Sequence, residues 1–173
     1  MEIGIISDTH GFLDPQVFLA CENCDEIWHA GDFGSYEVAE RLRAFRPLRG
    51  VYGNIDDSPI RQEFPEDQRF FCEGVDVWIT HIAGRPGRYP VRVRNGILYD
   101  PPQILICGHS HIVLVENDPA NGLKYVNPGA AGHEGIHQMR TLLKAEFVNR
   151  EMKNLRLVEL GPRGRRPTEC DAS

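Results

Sequence analysis

No apolar run in this sequence approaches the roughly 18 residues needed to span a bilayer. No basic region or cleavage site precedes the first apolar segment, so no secretory leader is expected. Cysteine is sparse. Five residues at irregular spacing do not make a disulfide framework and read as reduced thiols of a cytoplasmic protein. The pair in Cys21-Glu22-Asn23-Cys24 has no second pair with which to complete a tetrahedral zinc site, so its spacing reads as chance. Positive charge is also short: 19 basic against 25 acidic residues leave a net charge of −6. That balance argues against a nucleic-acid binder working through a broad basic surface. Internal repeats are absent as well, and no linker interrupts residues 1–160.

What is present is a set of seven candidate metal ligands spread over the first two thirds of 173 residues. Asp8 and His10 lie in Ser7-Asp8-Thr9-His10-Gly11, and Asp32 in His29-Ala30-Gly31-Asp32. Asn54 lies in Gly53-Asn54-Ile55-Asp56, His81 follows Thr80, and His109 and His111 frame Gly108-His109-Ser110-His111. Each cluster closes a short apolar run of the length and β-branched character of a buried strand. Ligands at strand ends are the usual way α/β folds build a site.

The pattern predicts strands over 2–7, 25–30 and 49–53, separated by two helices. The first helix starts at Asp14-Pro15, with Asp as N-cap and Pro at the first position, and Val17, Phe18 and Cys21 on its apolar face. The second starts after Ser35 as N-cap, with Glu37 in its first turn and Val38, Leu42 and Phe45 at helical spacing, and ends at Pro47. Beyond that the rhythm changes. Residues 68–72 and 75–80 flank Glu73-Gly74 as a hairpin, 83–90 read as a loop, 91–99 as a short helix and 103–107 as a strand. Antiparallel pairs are expected over 112–117 with 123–127, and over 139–148 with 154–160. The result is two facing sheets flanked by helices, one domain in all.

Carboxylate, imidazole and amide oxygen suit borderline-hard divalent ions, and the absence of clustered thiolates argues against a structural zinc site. Seven ligands exceed the needs of one ion and fit two, with one carboxylate shared. Two ions about 3.5–4 Å apart clamp an in-line displacement at phosphorus, and an attacking hydroxide would bridge them.

These residues resemble the calcineurin-like metallophosphoesterase superfamily, whose signature is D-x-H, G-D, G-N, H and G-H-x-H in that order; all five blocks occur over residues 8–111. Asn127-Pro128-Gly129 is similar to a turn of the small one-domain bacterial and archaeal branch, the YfcE-like phosphodiesterases. The resemblance implies a four-layer α/β/β/α sandwich of two mixed β-sheets over residues 1–160, and the tail over 161–173, rich in Arg, Gly and Pro, is expected from its composition to be disordered. It implies that Asp8, His10, Asp32 and His111 hold one metal, and Asp32, Asn54, His81 and His109 the other. Asp32, Asn54 and His81 are the expected catalytic residues, and Mn²⁺ the expected ion, with Fe, Zn, Ni or Co as alternatives. The implied activity is hydrolysis of a phosphodiester, with a phosphomonoesterase on a small metabolite or a non-catalytic scaffold as alternatives. A small phosphoester substrate is expected, with no membrane partner, a nuclease role disfavoured, and a homodimer or larger homo-oligomer open.

The sequence departs from the family at two ligands. Larger members carry a substrate-contacting His after the G-N Asn; here Ile55 follows Asn54, which fits the small branch and removes the obvious proton donor. Ile82 follows His81 where the family has Gly. His133 and His137, just past the Asn127-Pro128-Gly129 turn, read as loop residues, with entry of one into the site as the replacement donor being the sharper alternative. His29 reads as a core or supporting histidine, and Arg85 and Arg88 as loop residues with a phosphate or second ester group as the alternative partner.

Overall fold

The structure, a computed structural model, describes residues 1–164. Among them, five strands form each of two sheets. The first sheet contains β1 (Glu2–Ile6), β2 (Glu26–His29), β3 (Leu48–Gly50), β9 (Met139–Val148) and β10 (Glu151–Pro162), in the order β10-β9-β1-β2-β3. The second contains β4 (Asp67–Cys72), β5 (Val75–Thr80), β6 (Ile104–Ile106), β7 (Val113–Asp118) and β8 (Leu123–Pro128), in the order β4-β5-β6-β8-β7. In the first, β1, β2 and β3 run parallel, β9 is antiparallel to β1 and β10 antiparallel to β9; in the second, the central β5, β6 and β8 run parallel and the edge strands β4 and β7 antiparallel. The mixed-sheet expectation is met.

Alternation along the strands makes the layers. Ile3, Ile5 and Trp28 of the first sheet pack against Val77, Ile79, Ile104 and Ile106 of the second, forming the core between them. Ile6 and Ile27 face the other way, onto Val17 of α1 (Pro15–Ala20), Val38 and Leu42 of α2 (Tyr36–Phe45) and Ile60 of α3 (Ser58–Glu63). Trp78 and Leu105 cover Val93 and Ile97 of α4 (Val91–Tyr99) on the outer face of the second sheet. This is the four-layer sandwich. No helix among the described residues is long and apolar enough to cross a membrane.

The local chemistry is mostly as the sequence dictates. Asp14 caps α1 by accepting the Gln16 N–H at 2.7 Å, and its carboxylate also pairs with buried Arg140 of β9. Glu73 and Gly74 both adopt positive φ (48° and 79°), the left-handed pair that a two-residue hairpin turn requires. Cys21 and Cys24 are buried free thiols behind the first sheet. Cys21 Sγ lies where a Cβ on Gly4 would fall, so a strand glycine admits the helix end.

Four expectations change. Ser35 precedes α2 but makes no side-chain cap bond. The third strand is shorter than expected, ending at Gly50, because Gly53 N–H turns away to the Asp56 carboxylate. Helix α3 was not anticipated, although Asp57-Ser58-Pro59 carries the same Asp-and-Pro start signal as Asp14-Pro15. Strand β10 runs to Pro162, past the end expected for it, and the part of the expected tail from 165 onward lies outside the described residues.

Ile79→Ala, in the fully buried core between the sheets, should cost about 2–5 kcal/mol of unfolding free energy. Urea denaturation reads it; a loss below about 1 kcal/mol would mean that the sheets do not pack as described.

Candidate metal centre

The parallel strands of both sheets deliver their carboxyl ends to one seam. Asp8 and His10 follow β1, Asp32 follows β2 and Asn54 follows β3. From the second sheet, His81 follows β5, and His109 and His111 follow β6. Seven side chains separated by up to 103 residues (Asp8 to His111) therefore meet because five strands end on the same side.

They meet as two abutting groups. Asp8, His10 and His111 form one, and Asp32, His81 and His109 the other, with the candidate ligand atoms of each within 4.8 Å of one another. In the first, His111 Nε2 lies 3.0 Å from Asp8 Oδ1 and 3.3 Å from His10 Nε2. In the second, His81 Nε2 lies 3.2 Å from Asp32 Oδ2 and 3.1 Å from Asn54 Oδ1. The same Asp32 Oδ2 is 3.6 Å from His10 Nε2, so one carboxylate oxygen touches both groups.

The donor chemistry fits cations. His81 Nδ1 sits 2.7 Å from the Ala30 carbonyl, which accepts its N–H and leaves the Nε2 lone pair aimed at two oxygens that also carry lone pairs. The Glu134 backbone lies by the His111 ring, whose Nδ1 makes no hydrogen bond among the described residues. Asp8 Oδ1 is buried, and the polar atoms facing it are imidazole nitrogens. Mutually facing lone pairs repel unless a proton or a metal ion lies among them. Burial pushes the Asp8 carboxyl up, but His10, His111 and His81 outweigh it and hold it well below the usual carboxylate range. Asp32 is lowered as well: burial opposes its charge, and His81 overrides burial. His81 and His111, pushed down by burial, are raised in net by these same carboxylates.

The backbone here is strained by design of the loops. Asp8, His10, Asp32, His109 and His111 all adopt left-handed φ, between 48° and 68°. Such conformations cost about 1 kcal/mol or more each and persist only where surroundings over-determine them. The surroundings are visible. Asp8 N–H bonds to Gly31 O, His10 N–H to Asp32 O and Gly11 N–H to Phe33 O, lacing the first two loops together. Asp8 Oδ2 accepts the His109 N–H at 3.1 Å, joining the sheets. Gly53 is packed so closely that a Cβ there would strike Asp32 Oδ1 and the Asp32 backbone.

Three residues brace these loops: Asp56, which carried no role in the sequence, Asn127 of the Asn-Pro-Gly turn, and His29, expected as a supporting histidine. Asp56 is buried and accepts the N–H groups of Gly53 and Gly34, each at 2.8 Å, fixing the Asn54 loop against the Asp32 loop. Its signal was a carboxylate two residues beyond Asn54. Asn127 donates to the Gly108 carbonyl at 2.8 Å and to Ser110 Oγ at 3.1 Å, so the Asn-Pro-Gly turn holds the loop that carries His109 and His111. His29 is fully buried and stacked on Phe33 at 3.7 Å. Its Nδ1 accepts the Gly31 N–H and its Nε2–H donates to Thr9 Oγ1, and burial pushes its pKa down to about 3, so it supports the loops as a neutral ring.

Neither His133 nor His137 belongs to the two groups. His133 packs on Phe12 at 4.0 Å with Nδ1 at the Arg163 carbonyl. His137 Nε2 contacts the Gly132 carbonyl, and its ring packs edge-on to His111 at 5.4 Å, a buttress for a candidate ligand. Ile82 has no positive φ, so the glycine expected after His81 is not required by this loop.

A double-sheet fold with two abutting clusters of oxygen and nitrogen donors at its strand ends is the arrangement of a metal-dependent hydrolase. The chain belongs to the calcineurin-like phosphoesterase superfamily, whose domain profile it matches over residues 1–150. It is 30% identical over 135 residues to a probable metallophosphoesterase of Methanothermobacter thermautotrophicus, covering 75% of this chain and 77% of the relative. Its fold is that of a structure described as a novel archaeal phosphodiesterase, with TM-score 0.73 and 23% identity, covering 92% of this chain and 100% of that one. Wild-type Vps29 complexed with zinc, from Entamoeba histolytica, also shares the fold, with TM-score 0.66 and 20% identity over 92% of this chain and 99% of that one.

Mn²⁺ at a hundredfold excess over its Kd should stabilise the folded protein by about 2.7 kcal/mol, seen as a rise in Tm. Gly53→Ala should weaken calorimetric Mn²⁺ binding by about tenfold or more by displacing Asp32, with the far-UV CD unchanged. Unaltered Mn²⁺ affinity in that variant would place the ions elsewhere.

Proposed function

We propose that this protein is a cytoplasmic metal-dependent phosphodiesterase acting on a small substrate at a two-ion site. Asp8, His10, Asp32 and His111 would hold one ion, and Asp32, Asn54, His81 and His109 the other. Mn²⁺ is the first choice, with Fe, Zn, Ni or Co as substitutes that the donor set accommodates equally. The observation that carries the reading is Asp32 Oδ2, one oxygen in reach of both histidine groups, where a shared ligand has to stand. Bound at such a site, two divalent ions supply Lewis acidity to the phosphoryl oxygens and lower the pKa of water.

The chain's own residues do the rest. Asp8 and Asp32 stay ionised because the histidines beside them favour the charged form. His81 is oriented by the Ala30 carbonyl on the far side of its ring, and His111 is packed edge-on against His137. At position 55 an isoleucine, 46% exposed, occupies the rim. It offers no proton to a departing oxygen, so the leaving group departs as the anion. That favours esters of acidic alcohols, whose alkoxide or phenoxide leaves without a proton.

Two experiments test this. Protein stripped of metal by chelator is assayed on bis-p-nitrophenyl phosphate with and without Mn²⁺. Turnover should return with Mn²⁺ and fall by about a hundredfold or more in Asp32→Ala. Folded protein that turns over no ester with any divalent ion would sink the enzyme reading and leave a scaffold. Across a series of aryl diesters, the rate should drop steeply as the leaving-group pKa rises. A flat dependence would reveal a proton donor at the site.

A further inference from the structure

Two clefts flank the candidate metal centre, and they differ in what their arginines are already doing. The first, about 230 Å³, is lined by Asn54, His81, Arg61 and Arg92. Its cations are committed. Arg61 donates to the carbonyls of Asp56, Gly53 and Asn54 and lies over the Tyr52 ring at 4.4 Å. Arg92 is paired with Asp67 and Glu66 and donates to Thr80 Oγ1.

The second cleft, about 450 Å³, opens beside Ser110, the residue between His109 and His111, and is lined by Arg85, Arg88, Ile112 and Leu114. Among the described residues, no carboxylate pairs with either guanidinium, and neither makes a side-chain hydrogen bond. Arg85 and Arg88 stand three residues apart on a turn closed by a backbone bridge, Arg88 N–H to Arg85 O at 2.8 Å. The turn is rigidly mounted. Gly84 and Gly87 take positive φ (70° and 78°), the Gly84 carbonyl accepts the Tyr125 hydroxyl at 2.6 Å, and Tyr89 is tied to Asp118 at 2.7 Å. Two like charges held on one turn repel, and an anion between them removes the repulsion. Because the turn is already ordered, binding such an anion costs little conformational entropy. The opposite wall is aliphatic: Ile112 is 58% exposed at the cleft.

We propose that this cleft binds a second arm of the substrate, an apolar or planar body ending in a phosphate held by Arg85 and Arg88. The proposal rests on the phosphodiesterase reading and narrows it. The substrate class is a small phosphodiester that carries a further phosphate, with its scissile phosphorus at the metal centre. Planar guanidinium forks suit phosphate oxygens, and the aliphatic wall suits a nucleobase or similar body.

Adenosine 3′,5′-bisphosphate and adenosine 5′-monophosphate serve as probes. Their affinities are measured by calorimetry on Mn²⁺-loaded and on chelator-treated protein, and their inhibition constants against bis-p-nitrophenyl phosphate. The bisphosphate should bind tighter by about tenfold or more. Arg85→Ala with Arg88→Ala should bring the ratio close to one, and the corresponding Lys pair should restore part of it. A ratio near one in the wild type, or one unchanged in the Ala pair, overturns the proposal. If Mn²⁺ restores turnover while the ratio is near one, the subsite falls and the phosphodiesterase stands. If no ion restores turnover while an arginine-dependent ratio persists, the subsite stands and the hydrolase reading falls.

Discussion

Two carboxylates buried at the seam between the sheets, Asp8 and Asp32, are the constraint on which the rest of the structure depends. An isolated buried carboxylate would take up a proton rather than keep its charge, because low dielectric penalises the anion by several kcal/mol. Here both stay ionised because histidines from both sheets face them, His111 and His10 on one side and His81 on the other. That arrangement needs the two sheets to be stacked with their carboxyl ends aligned, and it is the reason the site cannot be built by either sheet alone. The inter-sheet core of Ile3, Ile5, Trp28, Ile79 and Ile106 supplies the driving force for the stacking, through apolar area removed from water.

The ligands are presented from unfavourable backbone, and this separates their loops from ordinary turns. Most of the left-handed positions in the described chain that are not glycine and not in hairpin turns are candidate ligands. A left-handed residue at the strand exit turns the chain out of its extended course, so that Asp8 and Asp32 end their strands at the seam. The cost is met by hydrogen bonds from neighbouring loops, in which Asp56 and Asn127 act as braces and His29 as a neutral, stacked filler beneath. Binding energy for an ion is then available without further ordering of the chain, which is what preorganisation of a site means.

Around this polar centre the rim is partly aliphatic. Ile55, Ile82 and Ile112 each follow a candidate ligand, and all three are exposed. Where a relative of this superfamily with a histidine after Asn54 could protonate a leaving group, this chain offers a methyl-bearing surface. Two clefts open beside this rim. In one of these the arginines brace the fold, and in the other they face solvent.

The sequence by itself determined which residues carry the chemistry and roughly where the strands and helices lie. Apolar runs of strand length, Asp-Pro helix starts and the Glu73-Gly74 turn are short-range signals, and the strands and helices found follow them closely. The shortened β3 escaped because its exit is set by Asp56, whose partners Gly53 and Gly34 straddle two loops, whereas helix α3 has a local start signal at Asp57-Ser58-Pro59. Only the tertiary structure decided which atoms face one another. His10 and His111 meet across 101 residues, Asp32 stands between two groups, and His137 backs His111 instead of entering the site. The physical reason is range. Periodicity and turn chemistry act within a few residues, whereas the placement of a lone pair, the strain a loop can hold and the pairing or isolation of an arginine depend on contacts that exist only once both sheets have packed.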